Sequence, residues 1–207
     1  MPDTVTTSFD AIVGWLATHA PAAAAGLAPP AADTVIADAE TVLGRVLPDD
    51  LRAWWRHADG VVTPQAGEPL PLIPWDLAPL PVAAALRVRQ SRLRIERDIW
   101  SARLDVDRHL TEAAQAPAGT ASQLWLPDWL PIARDAGTET LLVDLRAGER
   151  YGTVMVFDRV DGATGPPRWN GVADMLEEIA WRLTDADPAL PGDPWIDAIL
   201  GWPTAPG

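Results

Sequence analysis

The residue types that most often carry out chemistry in proteins are present in this chain, but their spacing gives them no common site. The three histidines, His19, His57 and His109, fall in three different predicted helices, and none has a second metal ligand at helical spacing. The chain has no cysteine, so it offers neither a thiolate ligand nor a cysteine nucleophile. No serine lies in a nucleophile elbow, and no glycine-rich loop suits a phosphate. The sequence predicts no catalytic residue, no metal site and no cofactor.

Pairs of neighbouring carboxylates are the remaining candidates for acid–base chemistry. General acid–base catalysis needs two groups whose surroundings drive their pKa values apart, and no sequence feature indicates such surroundings here. Asp49 and Asp50 fit the first turn of a helix, where the helix dipole favours negative charge. We interpret all of these pairs as solvent-exposed: Asp49/Asp50, Asp105/Asp107, Glu177/Glu178 and Asp185/Asp187.

Charge is the strongest global feature of the chain. The 207 residues carry 29 acidic and 16 basic side chains, a net charge of −13, and every basic residue is an arginine. This sign disfavours phosphate contacts, and therefore nucleic acid, and it favours a basic protein partner. The exception is a basic band at 86–108, with arginines at 87, 89, 92, 94 and 97. Two interpretations stay open: these arginines flank an apolar stripe and pair with acids, or they meet an acidic surface or a phosphate-bearing ligand.

The expected location is the cytoplasm. The first residues lack the positive start and apolar run of a secretory signal. No stretch is long and apolar enough to cross a bilayer.

The hydrophobic periodicity predicts helices, then an antiparallel meander, then helices again, which is an α+β fold. Helices are predicted at 8–19, 33–43, 49–59, 82–109 with a break near Trp100, 171–184 and 195–200. Strands are predicted at 130–134, 139–145 and 152–159, with shorter ones at 70–75 and 168–169. Trp54 and Trp55 are expected in the core, and Gly137 is expected in a turn conformation that opposes a side chain.

Composition divides the chain into three expected parts. Residues 1–32 form an N-terminal helix and an Ala/Pro-rich linker. Residues 33–187 form the main α+β domain, and residues 188–207 form a Pro- and Trp-containing tail packed on it.

Trp181 is the one aromatic residue that breaks a helical pattern. At 100° per residue it lies opposite the apolar stripe of its helix, among Asp174 and Glu177. Either Trp195, Ile199 and Trp202 of the tail fold over it, or it is an anchor in a protein interface.

Several short motifs occur in a fixed order along the chain. E-x-x-L-G-x-x-L-P-x-x-[LY] matches Glu40–Leu51, and Asp59-Gly60 ends the next helix. W-x-P-x-[WL]-[LI]-P-[IF]-A-x-D-x-x-G matches Trp125–Gly137. An aspartate-containing strand at 142–144 and a glycine-led strand at 152–154 follow. Together they resemble the SUKH superfamily, which includes the fungal Smi/Knr-type regulators of cell-wall synthesis and many bacterial toxin-immunity proteins.

The resemblance implies a SUKH-like fold and a protein-binding role without catalysis. Its first implication is an immunity protein that binds and neutralises a cognate toxin, often a nuclease; its second is a regulatory scaffold like that of fungal wall synthesis. An enzyme is the alternative from another class, and it would need Asp128, Asp135 or Asp144 in a pocket that strongly raises its pKa.

The expected contact residues are carboxylates at the loop edge of the sheet, because the chain outside the arginine band is strongly acidic. Trp129 is a possible aromatic anchor, although a tryptophan before a strand also suits a core position. The predicted partner-binding residues are Asp128, Trp129, Asp135, Glu139 and Asp158.

Overall fold

The computed structural model describes residues 2–62, 70–100, 105–190 and 192–201. Over these residues the chain forms helices and one four-stranded antiparallel sheet, which confirms the α+β prediction. None of the described helices is long and apolar enough to cross a bilayer. The helices are α1 (Pro2–His19), α2 (Pro21–Ala24), α3 (Asp33–Leu43), α4 (Asp49–His57), α5 (Val82–Trp100), α6 (Val106–Gln115), α7 (Val172–Asp185) and α8 (Pro194–Leu200). The strands are β1 (Ala78–Pro79), β2 (Trp129–Arg134), β3 (Glu139–Asp144) and β4 (Val154–Asp158).

The strands pair in the order β1-β2-β3-β4, so the predicted meander is confirmed. The first edge strand is not at 70–75, as expected, but at Ala78–Pro79. Ile73 pairs instead with Leu77 through two backbone hydrogen bonds, so the chain turns on itself before it pairs with β2. The apolar run at 154–157 is typical of a central strand that is covered on both faces, but β4 does not occupy that position. It lies at the other edge, where an isolated bridge joins Val154 to Trp169.

Side chains from the two faces of the sheet enter two separate cores. Leu130, Leu141 and Val143 point into the main core, which α1, α4, α7 and α8 complete. Neighbouring positions on the strands, such as Leu142 and Met155, enter a smaller cluster on the opposite face with Trp125. The alternation follows from the two-residue period of a strand. Trp54 and Trp55 of α4 are buried in the main core, as predicted.

The first helix is longer than the sequence pattern indicated. It begins at Pro2 rather than near residue 8, and proline is favoured in the first turn of a helix. Ser8, where the predicted helix began, is buried within this longer helix. Val5, Phe9 and Ile12 are also buried, so α1 shares the main core with α4 and α7.

A break between α5 and α6 is confirmed at Asp105, whose non-helical backbone forms the N-cap of α6; residues 101–104, between it and Trp100, lie outside the described residues. The expectation for Gly137 is confirmed for its place in the turn between β2 and β3, but not for a backbone conformation that excludes a side chain. Its backbone is not among the left-handed glycines of the described chain, and the atom nearest to an added Cβ would be a carboxylate oxygen of Asp135 at 2.9 Å.

Residues of the short motifs make contacts that join one secondary-structure element to the next. Glu40 Oε1 accepts a hydrogen bond of 2.8 Å from the Leu47 N–H, which closes the loop after α3. Asp59 Oδ1 accepts one of 2.7 Å from the Val82 N–H at the start of α5. Gly60 has a φ of 71°, and a Cβ there would lie 2.5 Å from the backbone nitrogen of Pro81. The aspartate-glycine pair therefore fixes the approach of α4 to α5.

Candidate protein-binding surface

Three of the predicted contact residues meet at one end of the sheet. Glu139 on β3 lies directly opposite Asp158 on β4 in the strand register. Asp135 follows β2, and its Oδ1 accepts a hydrogen bond of 3.0 Å from the Glu139 N–H. The β2–β3 hairpin and the end of β4 thus bring the three carboxylates together. We call Asp135, Glu139 and Asp158 the acid cluster.

The members of the acid cluster differ electrostatically. Burial raises the pKa of Glu139, and the charges of Asp135 and Asp158 raise it further. The pKa of Asp158 is lowered, first by a hydrogen bond of 2.6 Å from the Thr138 hydroxyl and then by the backbone N–H groups of Val160 and Asp161. Hydrogen bonds to an ionised carboxylate favour that form. Asp158 is therefore held as a fixed negative charge beside a carboxyl that resists ionisation.

Arginines border the acid cluster. Arg92 of α5 is half-buried over the sheet, and its Nη2 donates to the Thr140 hydroxyl over 3.4 Å. Burial lowers its pKa, and the positive charges of Arg159 and Arg134 add to this effect. Arg134 and Arg159 are themselves exposed. A partner at this end of the sheet would meet alternating charges and not a uniform acidic face.

Asp128 lies at the opposite end of β2 and does not belong to the acid cluster. Its two carboxylate oxygens accept hydrogen bonds from Arg45 at 2.7 and 2.8 Å. Its side chain is 17% exposed. The preceding carbonyl, that of Pro127, accepts from the guanidinium of Arg89. These two arginines clamp the start of β2, and Asp128 ties it to the loop that follows α3.

Trp129 is 0% exposed and cannot contact a partner in this fold. Its ring packs edge-on against Trp125 and Phe157, with centroids 5.9 and 6.0 Å away. The guanidinium of Arg146 lies 5.6 Å from its centroid. Residue 129 opens β2 with its side chain turned to the smaller core, so the core interpretation is the right one and the surface-anchor interpretation is wrong.

Asp144, named above as a possible catalytic carboxylate, is fully buried and paired with a fully buried arginine. Arg146 donates to it through Nε and Nη2, the latter over 2.7 Å. The remaining guanidinium hydrogens reach the carbonyls of Ala113 and Thr120. The Gly119 N–H also donates to Asp144. This network ties the loop after α6 to the end of β3, which is a structural task.

The other carboxylates named for the enzyme alternative are also engaged, Asp128 by Arg45 and Asp135 by the Glu139 N–H. Within the described ranges, no group of three or more histidine, aspartate or glutamate side chains could hold a metal ion.

The arginine band divides between the two interpretations given above. Arg89 and Arg92 lie against the sheet, and Arg97 is 3.5 Å from Asp107 in an exposed ion pair. Arg87 and Arg94 face solvent. Two of these five arginines therefore hold α5 against the start of β2 and against β3.

Trp181 stays 63% exposed, so the described part of the tail does not cover it. Trp195 and Ile199 of α8 pack into the main core instead. Trp202 lies outside the described residues.

A groove that the sequence did not indicate runs beside the acid cluster. It has a volume of about 1650 Å³ and is lined by the start of α5, β1, α8 and Asp135. Trp75 on its wall is 46% exposed and has a φ of 69°, and Asp76 follows with a φ of 59°. Residues other than glycine rarely adopt a positive φ. The local sequence has no glycine that would have predicted a left-handed backbone here. The guanidinium of Arg168 lies 4.7 Å from the Trp75 ring centroid and holds it in place.

Comparison with known proteins identifies the family. The model of the SMI1 / KNR4 family (SUKH-1) matches residues 30–178, which is well over half of the chain. The chain therefore belongs to this family, as its motifs indicated. Among curated proteins, no sequence matches it significantly.

Proposed function

We propose that this member of the SMI1/KNR4 family is an immunity protein, which binds a cognate toxin with a basic surface and blocks it without catalysis of its own. The observation that carries the proposal is the meeting of Asp135, Glu139 and Asp158 at one end of the sheet. The net charge of −13 supports it, because charge complementarity speeds the association of an acidic inhibitor with a basic protein such as a nuclease.

The charge pattern around the acid cluster argues for one specific partner. Asp158 carries a fixed negative charge because hydrogen bonds lower its pKa. The exposed side chains of Arg134 and Arg159 repel any surface that is basic throughout. A partner that fits must place cations against the carboxylates and acids or neutral groups against the arginines. Attraction and repulsion in one pattern are how specific interfaces reject wrong partners.

The contact surface in this proposal is smaller than the sequence indicated. Asp128 lies at the other end of β2 in a bidentate pair with Arg45, and Trp129 is buried. We assign the contact to the acid cluster and to the adjoining mouth of the groove, where Asp135 lies.

The test is growth protection. A candidate toxin domain, recovered from native cells by pull-down with this chain, is expressed in a sensitive host, with the wild-type chain or with Asp135→Arg/Glu139→Arg. We expect the wild type to restore growth and the double variant to fail while it remains folded by circular dichroism. The matched control is Asp10→Arg/Asp38→Arg, which changes the charge of two exposed aspartates elsewhere by the same amount and should protect fully.

If the wild-type chain fails to restore growth, the immunity proposal is contradicted. A partner recovered from native cells that belongs to a host biosynthetic complex would then support the regulatory scaffold. Protection that the double variant retains would instead contradict only the assignment of the acid cluster.

A further inference from the structure

A pocket beside Trp181 forms a second acidic surface, separate from the acid cluster. It lies between the end of α7 and the start of α8 and has a volume of about 380 Å³. The exposed side chains of Trp181 and Leu190 line it. Four aspartates line it as well: Asp185, Asp187, Asp193 and Asp197. We call it the Trp181 pocket.

The described residues leave the apolar side chains of this pocket uncovered. Trp181 is 63% exposed and Leu190 is 64% exposed. Trp181 lies on the face of α7 opposite Ile179 and Leu183, which the main core buries. Single exposed apolar residues are ordinary, but two large ones that share one concave surface are typical of a binding site.

The charge of the pocket is almost uniformly negative. Arg182 is the single basic residue of its lining, and it pairs with Asp193. Within the described part of the chain, the Asp187 and Asp197 carboxylates accept hydrogen bonds from backbone N–H groups alone, from Ala189 at 2.9 Å and Gly192 at 3.4 Å. Among the described residues, no arginine or histidine forms an ion pair with Asp185, Asp187 or Asp197.

We propose that the Trp181 pocket binds a basic segment of a partner protein, one that inserts an apolar side chain against Trp181 and places flanking lysines or arginines against the aspartates. Buried tryptophans dominate the energy of protein interfaces, and a rim of opposite charge directs the approach. The sign of the rim excludes the other common occupants. Nucleic acid and anionic bilayers would be repelled. A second copy on a two-fold axis would set the same aspartates against each other.

The pocket lies outside the part of the chain that the family model matches. The family match ends at residue 178, and every residue of the lining follows it. The Trp181 pocket contains none of the three residues of the acid cluster, so its role is independent of immunity; Arg182 and Asp193 line both this pocket and the groove.

The experiment uses the full chain and three short fluorescein-labelled peptides, followed by fluorescence anisotropy. The first has leucines flanked by lysines, the second has glutamates in place of the lysines, and the third has serines in place of the leucines. We expect only the first to bind well at low salt. Trp181→Ser should weaken it about tenfold or more, the size of a loss at an interface anchor. Val160→Ser, at an exposed valine elsewhere on the surface, should leave it unchanged.

Neutralising the carboxylates of each acidic surface in turn shows which of the two binds the peptide. Asp185→Asn/Asp187→Asn should weaken the lysine–leucine peptide and flatten its salt dependence, whereas Asp135→Asn/Glu139→Asn should do neither. Equal losses in the two double variants would overturn the proposal, since they would indicate non-specific attraction to a negative chain. Binding of the glutamate peptide, or indifference to Trp181→Ser, would also overturn it. So would a dimer in sedimentation analysis that Trp181→Ser abolishes, which would assign the pocket to a second copy.

Discussion

The carboxylate of Asp50 accepts a hydrogen bond of 3.0 Å from the backbone N–H of Ala173, so a residue of α4 caps the start of α7. The N-cap position of α7 is Gly171, which has no side chain to satisfy the first N–H groups itself. A Cβ at Gly171 would lie 2.6 Å from Asp50 Oδ2. The absence of a side chain on one helix thus makes room for the carboxylate of another, and the contact joins two elements of the main core.

Asp50→Ala should lower the free energy of unfolding by about 1 kcal/mol, the usual cost of a lost N-cap. Gly171→Ala should also destabilise the chain, because its methyl group displaces the carboxylate. Urea unfolding followed by circular dichroism measures both changes. Asp49→Ala, at the exposed neighbouring position, should have little effect. The cost of Gly171→Ala should shrink in the Asp50→Ala background, and strictly additive costs would show that the two residues are not coupled.

The buried pair Asp144–Arg146 should be far more sensitive than any surface ion pair. Asp144→Ala or Arg146→Ala leaves one buried charge without its partner, and we expect each to cost about 3–5 kcal/mol. Asp144→Leu/Arg146→Met removes both charges and should cost much less than the sum of the single changes. Urea unfolding of the three variants checks this. Additive costs would mean that the network, and not the pairing of charges, supplies the stability.

Truncation of the tryptophans buried in the main core should destabilise the fold strongly. Trp54→Ala or Trp55→Ala should lower the free energy of unfolding by about 3–5 kcal/mol, because each leaves a large cavity in close-packed surroundings. The matched control is Trp181→Ala on the exposed face of α7, which should change the melting temperature little. A melting temperature unmoved by both core changes would contradict the buried position of α4.

Ionisation of Glu139 should make the stability of the chain depend on pH. Burial and the neighbouring carboxylates raise its pKa above the ordinary 4.5, so the folded state holds this proton more tightly than the unfolded state does. The free energy of unfolding therefore falls as the pH rises from the ordinary pKa through the raised one. We expect the stability of Glu139→Gln relative to the wild type to rise across that window and to level off above it.

Asp158→Asn provides a comparison of opposite sign. Hydrogen bonds lower the pKa of Asp158 below the ordinary 3.8, so its contribution to stability is present above that value and is lost as the pH falls through the lowered pKa. The deficit of Asp158→Asn should therefore be largest near neutral pH and should shrink in acid. Chemical unfolding at a series of pH values measures both variants, and parallel curves for the two would contradict these assignments.

Association with the basic partner should depend on salt. Raising the salt concentration from ~50 to ~500 mM shortens the Debye length several-fold, so the association rate should fall markedly. Asp135→Arg/Glu139→Arg should lower the rate at low salt, while Asp10→Arg/Asp38→Arg, with the same change in net charge, should lower it less. Stopped-flow fluorescence measures these rates. An acidic partner, or a rate indifferent to salt, would rule out this electrostatic account.

Much of the acid cluster was predictable because it depends on local patterns. Two strands joined by a short turn must bring Asp135 close to Glu139, and a meander sets the next strand beside them with Asp158 opposite. The sequence could not separate Asp128 from this group. Its position at the far end of β2 and its pairing with Arg45 join residues that are 83 positions apart.

The sequence by itself determined the elements whose signals lie within one or two turns: the apolar faces of α4 and α7, the meander and the break after α5. The tertiary structure decided what each polar or aromatic side chain does there. Asp50, interpreted as a helix-start charge, caps a different helix. Trp129 fills a core, whereas Trp181 stays in solvent. Periodicity fixes which way a side chain points relative to its own element, but burial and hydrogen bonding depend on which other elements arrive there. That information is spread over contacts between residues far apart in the chain.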